Sequence, residues 1–433
     1  MPTETLMMKD SKIGSIKDIP INWEIKKTKY LFDVVNGSTP DSDYYDYWDG
    51  DINWITPADM VDFGYVSMGE RSITKKGYKS CGTTLVPSNS IVISTRAPIG
   101  KINITKSELC TNQGCKCLVS EKLCNKYFYY LLYSQKEQLI DAGRGTTFIE
   151  LSTFSLSNFS LILPPLPEQQ TIADFLDKKC EKIDKVIGEI EEQIQVLEDY
   201  KKSLITETVT KGLDKNVPMK DSGIDYLGKI SAHYKITKLK YLLSGITDGT
   251  HGTFDRFAEG EYLLSAKNVF EDGLHIEENE SLISERDYRE IVKKGFPRKG
   301  DVLVCCVGTI GRICVYSLDK PLAFQRSVVF LRPNKKVKSK YLQYLMQAES
   351  SQIQMQLFAN ASAQAGIYMG TLQTIIVIEV PIAEQEQIAD YLDKECTKID
   401  KTINDKKEQL ETIKEYKKSL IYEYVTGKKR VAC

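Results

Sequence analysis

The feature that most constrains this chain is a segment that recurs, almost unchanged, half a chain length later. A shift of 216 residues aligns 165–187 with 381–403, and 15 of these 23 aligned positions are identical. At the same shift YKKSLITETVT (200–210) meets YKKSLIYEYVT (416–426), with 9 of 11 positions identical. Self-similarity over so long a period indicates duplicated structural units.

A weaker match, at a shift of 211, extends the duplication into the rest of the chain. IPINWEIKKTKYLF (19–32) meets ISAHYKITKLKYLL (230–243), and SIVISTRAPIGKI (90–102) meets DVLVCCVGTIGRI (301–313). The 433 residues therefore read as two copies of a variable module followed by a uniform segment. The predicted domains are a first module (1–163), a first uniform segment (164–213), a second module (214–379) and a second uniform segment (380–433).

Both uniform segments are predicted to be long helices. Their apolar residues recur at a 4-3-4-3 spacing, which is typical of a coiled-coil seam. The seam is imperfect, because Lys406 replaces Ile190 and because Lys201 and Lys417 fall on it. The predicted seam residues are Leu176, Cys180, Ile183, Ile187, Ile190, Ile194, Leu197 and Leu204, then Leu392, Cys396, Ile399, Ile403, Leu410, Ile413 and Leu420.

The two helices are predicted to pack on each other in an antiparallel pair. The first must end where the second module starts, and the second must leave that module and run back. The modules would then lie at opposite ends, related by an approximate two-fold axis. The alternative is that each helix packs only on its own module.

Each variable module reads as mixed α/β. Short strand-like runs alternate with glycine-rich turns: SIVIST, KCLVS and FSLILP in the first module, then DVLVCCV, RSVVFLRP and TIIVIEVP in the second. One helix-like run is predicted in each, at 125–140 and at 339–358. The predicted fold class is therefore α+β: two α/β domains separated by two long antiparallel coiled-coil helices, with a pseudo-two-fold internal repeat.

Composition limits the class of protein. The N-terminus lacks a signal-peptide core and no apolar run reaches the length of a membrane span, so we expect a cytoplasmic protein that does not contact a membrane. The eleven cysteines lie mostly in apolar runs without zinc-finger spacing, which favours reduced, buried thiols and no metal site. The formal net charge of -1 is low for a nucleic-acid binder, since such proteins are often basic.

Several motifs together resemble the specificity (DNA-recognition) subunit of type I restriction–modification systems. They are the doubled PLPEQQ-IA-FLD helix, GSTP with YWDGDINWIT in the first module, and DGTHGTF, LLSAKNV, GTIGR and FQRS in the second. The order of variable and uniform segments is similar too, and the resemblance covers almost the whole chain.

This resemblance implies a non-catalytic subunit that binds double-stranded DNA. Each module would be a target recognition domain for one half of a split sequence, and the helices would be the spacers between the halves. The implied partners are two modification (methyltransferase) subunits, which methylate adenine, and up to two restriction subunits. The chain itself would need no cofactor, whereas the partners would use S-adenosylmethionine, and ATP with Mg.

Candidate DNA-binding residues lie in the turns of both modules. Guanidinium, ammonium and amide groups can bond phosphates or base edges, although a solvated surface charge is the plain alternative for each of them. Arg326 is expected where the first copy has Gly114, which leaves the conformation of that turn open. The candidates are Arg96, Lys101, Gln113, Arg144, Thr146, Thr147, His251, Lys267, Arg312, Gln325, Arg326 and Gln364.

Two glutamate–glutamine pairs are candidates for docking the modification subunits: Glu168 with Gln169, and Glu384 with Gln385. An acid in the first turn of a helix is favoured by the helix dipole, so a helix-start role is the alternative. Two other functions remain open at this stage. A stand-alone methyltransferase would need a glycine-rich cofactor loop after a strand, which is not found. A coiled-coil scaffold without a nucleic-acid role would leave two long, dissimilar modules unexplained.

Overall fold

Contacts divide the chain into two units of similar build. A computed structural model describes residues 7–14, 16–96, 98–143, 150–360 and 366–431. Unit 1 contains Met1–Ile190 and Gln409–Cys433, and unit 2 contains Glu191–Glu408. Both long helices therefore contribute to both units.

The first module of the chain forms most of unit 1. Short 3-10 turns lie at Thr28–Tyr30 and Tyr45–Tyr47. The strands are β1 (Met8–Ile13), β2 (Ile16–Pro20), β3 (Glu24–Lys27), β4 (Asp33–Asn36), β5 (Trp48–Ile55), β6 (Phe63–Val66), β7 (Ser72–Ile73), β8 (Ile91–Ser94), β9 (Ile102–Thr105), β10 (Cys110–Thr111), β11 (Cys115–Val119) and β12 (Ser160–Leu163). The helices are α1 (Lys75–Ser80), α2 (Asn125–Ser134), α3 (Lys136–Asp141), α4 (Thr153–Ser157) and α5 (Leu166–Lys211).

The second module forms most of unit 2. Short 3-10 turns lie at Leu239–Leu242 and Ala266–Asn268. The strands are β13 (Met219–Asp221), β14 (Lys229–Ser231), β15 (Lys235–Lys238), β16 (Leu243–Asp248), β17 (Glu261–Leu264), β18 (Val269–Phe270), β19 (Gly273–Leu274), β20 (Leu282–Ile283), β21 (Val302–Cys305), β22 (Ile313–Val315), β23 (Ala323–Phe324), β24 (Val328–Pro333) and β25 (Ile376–Glu379). The helices are α6 (Glu285–Lys294), α7 (Ser339–Gln347), α8 (Glu349–Asn360), α9 (Met369–Leu372) and α10 (Ile382–Val425).

The internal repeat extends through the sheets. The main sheet of unit 1 has the order β4-β11-β8-β9-β6, and that of unit 2 has the order β16-β24-β21-β22. A second sheet follows in each unit, β10-β5-β7 and β20-β17-β23. The pairings β4/β11, β11/β8 and β8/β9 are antiparallel, as are their counterparts in unit 2. The fold is α+β, with a duplicated α/β module.

Each predicted single helix in a module is two helices. The first run divides at Gln135 into α2 and α3, because that residue has φ -108 and ψ 21. The second divides at Ala348 into α7 and α8, because its ψ of 143 is extended. These angles depart from those of an α-helix, so the regular helical conformation is interrupted at each of the two residues. The sequence prediction of one continuous helix was therefore wrong in both modules.

The long helices are antiparallel within each unit. In unit 1 the rings of Phe175 and Tyr424 lie 4.4 Å apart, and further along α5 Asp184 accepts from Lys417 Nζ at 2.6 Å. Position numbers thus rise along α5 while they fall along α10. In unit 2 Lys407 Nζ lies 3.5 Å from Glu198, and further along α5 Lys201 Nζ donates to Asp400 at 2.8 Å, so the residue numbers again rise along α5 and fall along α10. Asp184 and Asp400 are equivalent in the repeat, as are Lys417 and Lys201.

The predicted apolar seam faces the core or is half-buried. Leu176 and Leu392 are fully buried, and they join the cores of unit 1 and unit 2 respectively. The two seam lysines are kept in place by their acids. Burial alone lowers the pKa of Lys201, but hydrogen bonds and charges from Asp400 and Glu271 outweigh it and raise the pKa, so the ammonium stays charged at neutral pH.

Candidate nucleic-acid interface

Turns at one end of the unit 1 sheets form a single surface, which we call loop cluster 1. It comprises residues 37–40, 56–59, 95–96 with 98–101, and 112–114, which follow β4, β5, β8 and β10. Backbone bonds join these turns: Ser38 N–H donates to Thr111 O at 2.9 Å, and Thr95 N–H donates to Gly114 O at 2.8 Å. The turn positions are therefore fixed by main chain, which leaves the side chains free to vary.

The equivalent turns of unit 2 form loop cluster 2, which comprises residues 249–252, 265–268, 306–312 and 325–327. The same backbone bonds recur. Thr250 N–H donates to Phe324 O at 2.7 Å, and Cys306 N–H donates to Ser327 O at 2.9 Å. The two clusters are copies of one main-chain arrangement.

A glycine with positive φ shapes one turn in each cluster. Gly100 and Gly311 both have φ +88, which other residues rarely adopt. Their N–H groups donate to Ser94 O and Cys305 O, each at 3.0 Å. This turn brings Lys101 and Arg312 to equivalent places, as the alignment of Ile99-Gly100 with Ile310-Gly311 predicts.

The turn that carries Gln113 matches unit 2 differently from the prediction. Asn112 N–H donates to Ile55 O at 2.9 Å, and the corresponding bond in unit 2 is from Gln325 N–H to Leu264 O at 2.8 Å. Gln325 is therefore equivalent to Asn112, and Arg326 is equivalent to Gln113. The prediction that Arg326 replaces Gly114 was wrong by one position, and the residue at the place of Gly114 is Ser327.

The described candidates of unit 1 differ in the hydrogen bonds that their side chains make. Arg96 is about half-exposed, and its Nε donates to Glu150 Oε2 at 3.1 Å. Lys101 Nζ instead donates to the carbonyls of Pro57 and Met60 at 2.8 and 2.7 Å, so it holds a neighbouring turn. Gln113 is exposed, and its amide oxygen accepts a short hydrogen bond from the hydroxyl of Thr39.

The candidates of unit 2 include charges paired with nearby acids. His251 Nε2 lies 2.7 Å from Asp248 Oδ2 and Lys267 Nζ lies 2.9 Å from Glu280 Oε1, yet both side chains remain 65% exposed. The Arg312 guanidinium lies 4.7 Å from the ring centroid of Phe270, a cation–π contact.

Two further candidates of unit 2 lie in the turn after β23. Arg326 is exposed and Gln325 is half-buried. Arg144, Thr146, Thr147 and Gln364 lie outside the described residues.

The four predicted docking residues bond within their own unit. Glu168 accepts from Trp23 Nε1 at 2.8 Å and Glu384 accepts from the Tyr234 hydroxyl at 2.9 Å. The glutamines are buried, and their amide oxygens accept the N–H groups of Cys124 (Gln169, 3.2 Å) and Lys338 (Gln385, 2.9 Å). Docking of a partner at these residues stays a prediction.

Thr39 of loop cluster 1 was not singled out from the sequence, nor were Glu150 and Lys116, which lie next to Arg96 or to each other. Glu150 accepts from Arg96, and its other oxygen lies 3.7 Å from Lys116 Nζ. Burial lowers the pKa of Lys116, and the charge of Glu150 opposes this shift. Thr39 holds Gln113 from 74 residues away. No linear spacing identifies such pairs, because only the fold brings them together.

The described candidates on the two loop clusters all carry hydrogen-bonding groups. In the described part of the chain no group of three or more His, Cys, Asp or Glu residues is arranged to hold a metal ion. The described thiols are free, and burial raises the pKa of Cys117 to about 12. A thiol with so high a pKa is a poor nucleophile. Guanidinium, amide and hydroxyl groups on fixed turns suit hydrogen bonding to base edges and phosphates.

No helix among the residues that the structure describes is both long and apolar enough to cross a bilayer. This finding concerns helices alone.

Known proteins resemble both the sequence and the fold. The specificity subunit of the type I restriction enzyme MjaIX of Methanocaldococcus jannaschii is 37% identical over 195 residues, 44% of each chain. The MjaVIII specificity subunit of the same organism is 25% identical over 422 residues, 95% of this chain and 94% of that protein. The match with MjaIX thus spans less than half of that relative.

A solved chain from a study of type I R-M system assembly shares the fold. It has a TM-score of 0.69 at 16% identity, over 94% of this chain and 99% of that one.

A family model, described as the type I restriction modification DNA specificity domain, matches the sequence twice. It covers residues 20–196 and 276–412, one match for each copy of the internal repeat and together more than half of the chain. The chain belongs to the family of type I restriction modification DNA specificity domain proteins.

Proposed function

We propose that this chain is the DNA-specificity subunit of a type I restriction–modification enzyme and reads a target in two parts. Each module reads one half-site through its loop cluster, and the long helices set the gap between them. The observation that carries the proposal is the duplicated loop cluster, in which equivalent backbone bonds present different side chains. A constant frame with variable side chains suits two unlike half-sites.

The proposed division follows the repeat. Residues 1–163 and 214–379 are the two target recognition domains, and 164–213 and 380–433 are the spacer segments. The described candidates at the two surfaces are Arg96, Lys101, Gln113, His251, Lys267, Arg312, Gln325 and Arg326, and the candidates outside the described residues are Arg144, Thr146, Thr147 and Gln364.

The reading chemistry differs between equivalent positions. A guanidinium fork bonds O6 and N7 of guanine, whereas a glutamine amide bonds N6 and N7 of adenine. Arg326 and Gln113 occupy the same place in their turns, so the two modules favour different bases at that place. The target therefore need not be a palindrome.

In this proposal the chain is a non-catalytic subunit, and partner subunits carry out methylation and DNA cleavage. We assign two modification subunits that use S-adenosylmethionine, and up to two restriction subunits that use ATP with Mg. Glu168, Gln169, Glu384 and Gln385 stay candidates for docking the modification subunits. We place the complex with DNA in the cytoplasm.

The test is the methylation pattern of a cell that carries the chain. The full chain is co-expressed with its modification subunit in a methylation-free host, and modified adenines are mapped by long-read sequencing. We expect two short sequences with a fixed gap of unspecified bases. One continuous motif, or no new methylation, would contradict the proposal. As a control, replacing residues 12–160 by another module should change one half-site and leave the other unchanged.

A further inference from the structure

Trp23 lies where three elements of unit 1 meet: the module, the first turn of α5 and the end of α10. Its indole is 2% exposed, and Nε1 donates to Glu168 Oε2 at 2.8 Å. Asn22 Nδ2 donates to the other oxygen of Glu168 at 3.1 Å. On the far side, a Cβ added to Gly427 would lie 3.0 Å from the indole Cη2, so the end of α10 rests on the same ring.

Tyr234 makes the equivalent junction in unit 2. It is fully buried, and its hydroxyl donates to Glu384 Oε2 at 2.9 Å. His233 Nε2 lies 2.8 Å from the other oxygen of Glu384. A Cβ added to Gly212, which follows α5, would lie 2.5 Å from the Tyr234 hydroxyl. Burial, helped by Glu384, raises the pKa of Tyr234 and keeps the phenol a donor at neutral pH.

The two junctions use different side chains for the same geometry. An indole and a phenol each bond one oxygen of a glutamate, and an amide and an imidazole each lie beside the other oxygen. A helix start alone does not need these partners, because water or a local cap can satisfy its first N–H groups. Here the partners of each glutamate come from about 150 residues earlier in the chain. The bonds therefore fix the module against the helix rather than the helix end by itself.

We propose that Trp23 and Tyr234, acting through Glu168 and Glu384, are positioning residues that fix the tilt of each module on its helices and thereby the precision of the gap between half-sites. This inference rests on the proposed function. A strand of five or six residues is about 20 Å long. If a module tilts by roughly 10°, a point about 20 Å from its base moves by about 3.5 Å, close to the ~3.4 Å rise of one base pair.

The experiment measures gap length separately from half-site sequence. Glu168→Gln and Glu384→Gln are each introduced into the full chain in complex with its modification subunit. A glutamine has a single oxygen, so it accepts from one partner and presents an N–H₂ group to the other. DNA libraries with the two half-sites at varied gaps are methylated and then sequenced.

We expect methylation at gaps one base pair longer or shorter to rise about tenfold relative to the unmodified chain, which is the effect of one lost charged hydrogen bond. The preferred bases of both half-sites should not change. Glu189→Gln is the matched control, because Glu189 lies 3.9 Å from Lys185 on its own helix. Tyr234→Phe keeps the ring against Gly212 but removes one donor, and it should widen the gap range in the same direction.

Each outcome decides whether the junction sets the gap between half-sites or serves another role. A folded variant that methylates less, but only at the original gap, shows that the glutamate serves stability or the docking of the modification subunit and does not set the gap, and this result overturns the inference. If the glutamine variants do not accumulate as folded protein, the gap range of Tyr234→Phe decides in the same way. Failure of the proposed function looks different, because the unmodified chain would then give no bipartite target at all.

Discussion

The two modules share a backbone but not the side chains that it presents. The strand orders β4-β11-β8-β9 and β16-β24-β21-β22 correspond, and Gly100 and Gly311 have the same φ of +88. In contrast, Gln113 in unit 1 is matched by Arg326 in unit 2. Hydrogen bonds between main-chain groups do not depend on side chains. The main-chain arrangement can therefore stay the same while side chains change at the surface that is proposed to bind DNA.

The modules also differ at the edge of the main sheet. In unit 1 the additional strand β6 pairs with β9, and its Phe63 stacks on Tyr129 and Tyr133 of α2 with ring centroids 4.1 and 3.9 Å apart. In unit 2 the hairpin of β18 and β19 occupies the chain after β17, and there Phe270 stacks on His275 at 4.3 Å. The difference shows that the edge of this sheet tolerates new segments while the central strands do not change.

The largest effect is expected from filling the space beside a glycine that both modules need. A Cβ on Gly37 would lie 2.0 Å from Asn112 O, and one on Gly249 would lie 2.2 Å from Phe324 O. Since the obstacle is backbone, Gly37→Ala or Gly249→Ala should destabilise its own unit by about 3 kcal/mol. Amide hydrogen exchange of the full chain measures the loss of stability separately in each unit.

The matched control is Gly188→Ala in α5, where a Cβ meets nothing within 4 Å. That change should stabilise the chain by about 0.5–1 kcal/mol, because alanine favours a helix over glycine. Equal loosening of both units by Gly249→Ala would contradict the view that each module is held by its own turns.

A second expected effect is an exchange of base preference. Gln113→Arg places the side chain found in unit 2 on the equivalent turn of unit 1, and Arg326→Gln does the reverse. A correct bidentate contact is worth about 1–3 kcal/mol of discrimination, so the preferred base should change at one position of one half-site. Methylated-site sequencing reads the change directly.

Arg289→Gln serves as the control for this exchange. Its guanidinium pairs with Glu285 four residues earlier on α6, and Arg289 is not one of the residues of loop cluster 2, so the DNA target of this variant should stay that of the unmodified chain. If the exchanged variants keep both half-sites, the equivalence of Gln113 and Arg326 in reading is wrong.

A third, smaller effect separates the two seam lysines. Lys417 pairs with Asp184, whereas Lys201 pairs with Asp400 and also with Glu271 at 3.0 Å. Both lysines are mostly buried, so Asp184→Ala leaves the charge of Lys417 without its acid. This change should lower the free energy of unfolding by about 2 kcal/mol, between the values for surface and buried pairs. Asp400→Ala should cost less, because Glu271 remains.

Urea unfolding of the full chain gives these free energies. Asp199→Ala is the reference for an exposed pair, since Asp199 bonds Lys202 on the same helix, and it should cost less than about 0.5 kcal/mol. Equal costs for Asp184→Ala and Asp400→Ala would mean that Glu271 does not support Lys201.

The sequence predicted most of the scaffold. Seam spacing located both long helices, because burial along a helix repeats with a regular period, and runs such as SIVIST and RSVVFLRP marked β8 and β24. The divisions at Gln135 and Ala348 were missed, since a change of one ψ angle leaves no mark in an apolar pattern. The arrangement of the modules at opposite ends stays a prediction.

The candidate surface was less accessible to prediction. Turns have no periodicity, so the turns of the two modules could be aligned only by the identity of their residues. The resulting match of Arg326 to Gly114 was wrong by one position. The hydrogen bonds that Asn112 N–H donates to Ile55 O and Gln325 N–H donates to Leu264 O set the true alignment. Side-chain partners could not be predicted either, because only the fold brings them together: the Lys101 ammonium bonds the carbonyls of Pro57 and Met60, more than 40 residues earlier in the chain.

The smallest expected effect concerns that lysine and its counterpart. The Arg312 guanidinium lies against the ring of Phe270, whereas the Lys101 ammonium is occupied by Pro57 O and Met60 O. Each phosphate contact contributes about 0.9 to the slope of log K against log salt concentration. Arg312→Gln should therefore lower this slope by about one, and Lys101→Gln should leave it unchanged while it destabilises unit 1. Fluorescence anisotropy with labelled DNA at several salt concentrations measures the slope of the complex with its modification subunit. A lower slope for Lys101→Gln would show that the ammonium leaves its two carbonyls when DNA binds, and the frame would then be less rigid in unit 1 than in unit 2.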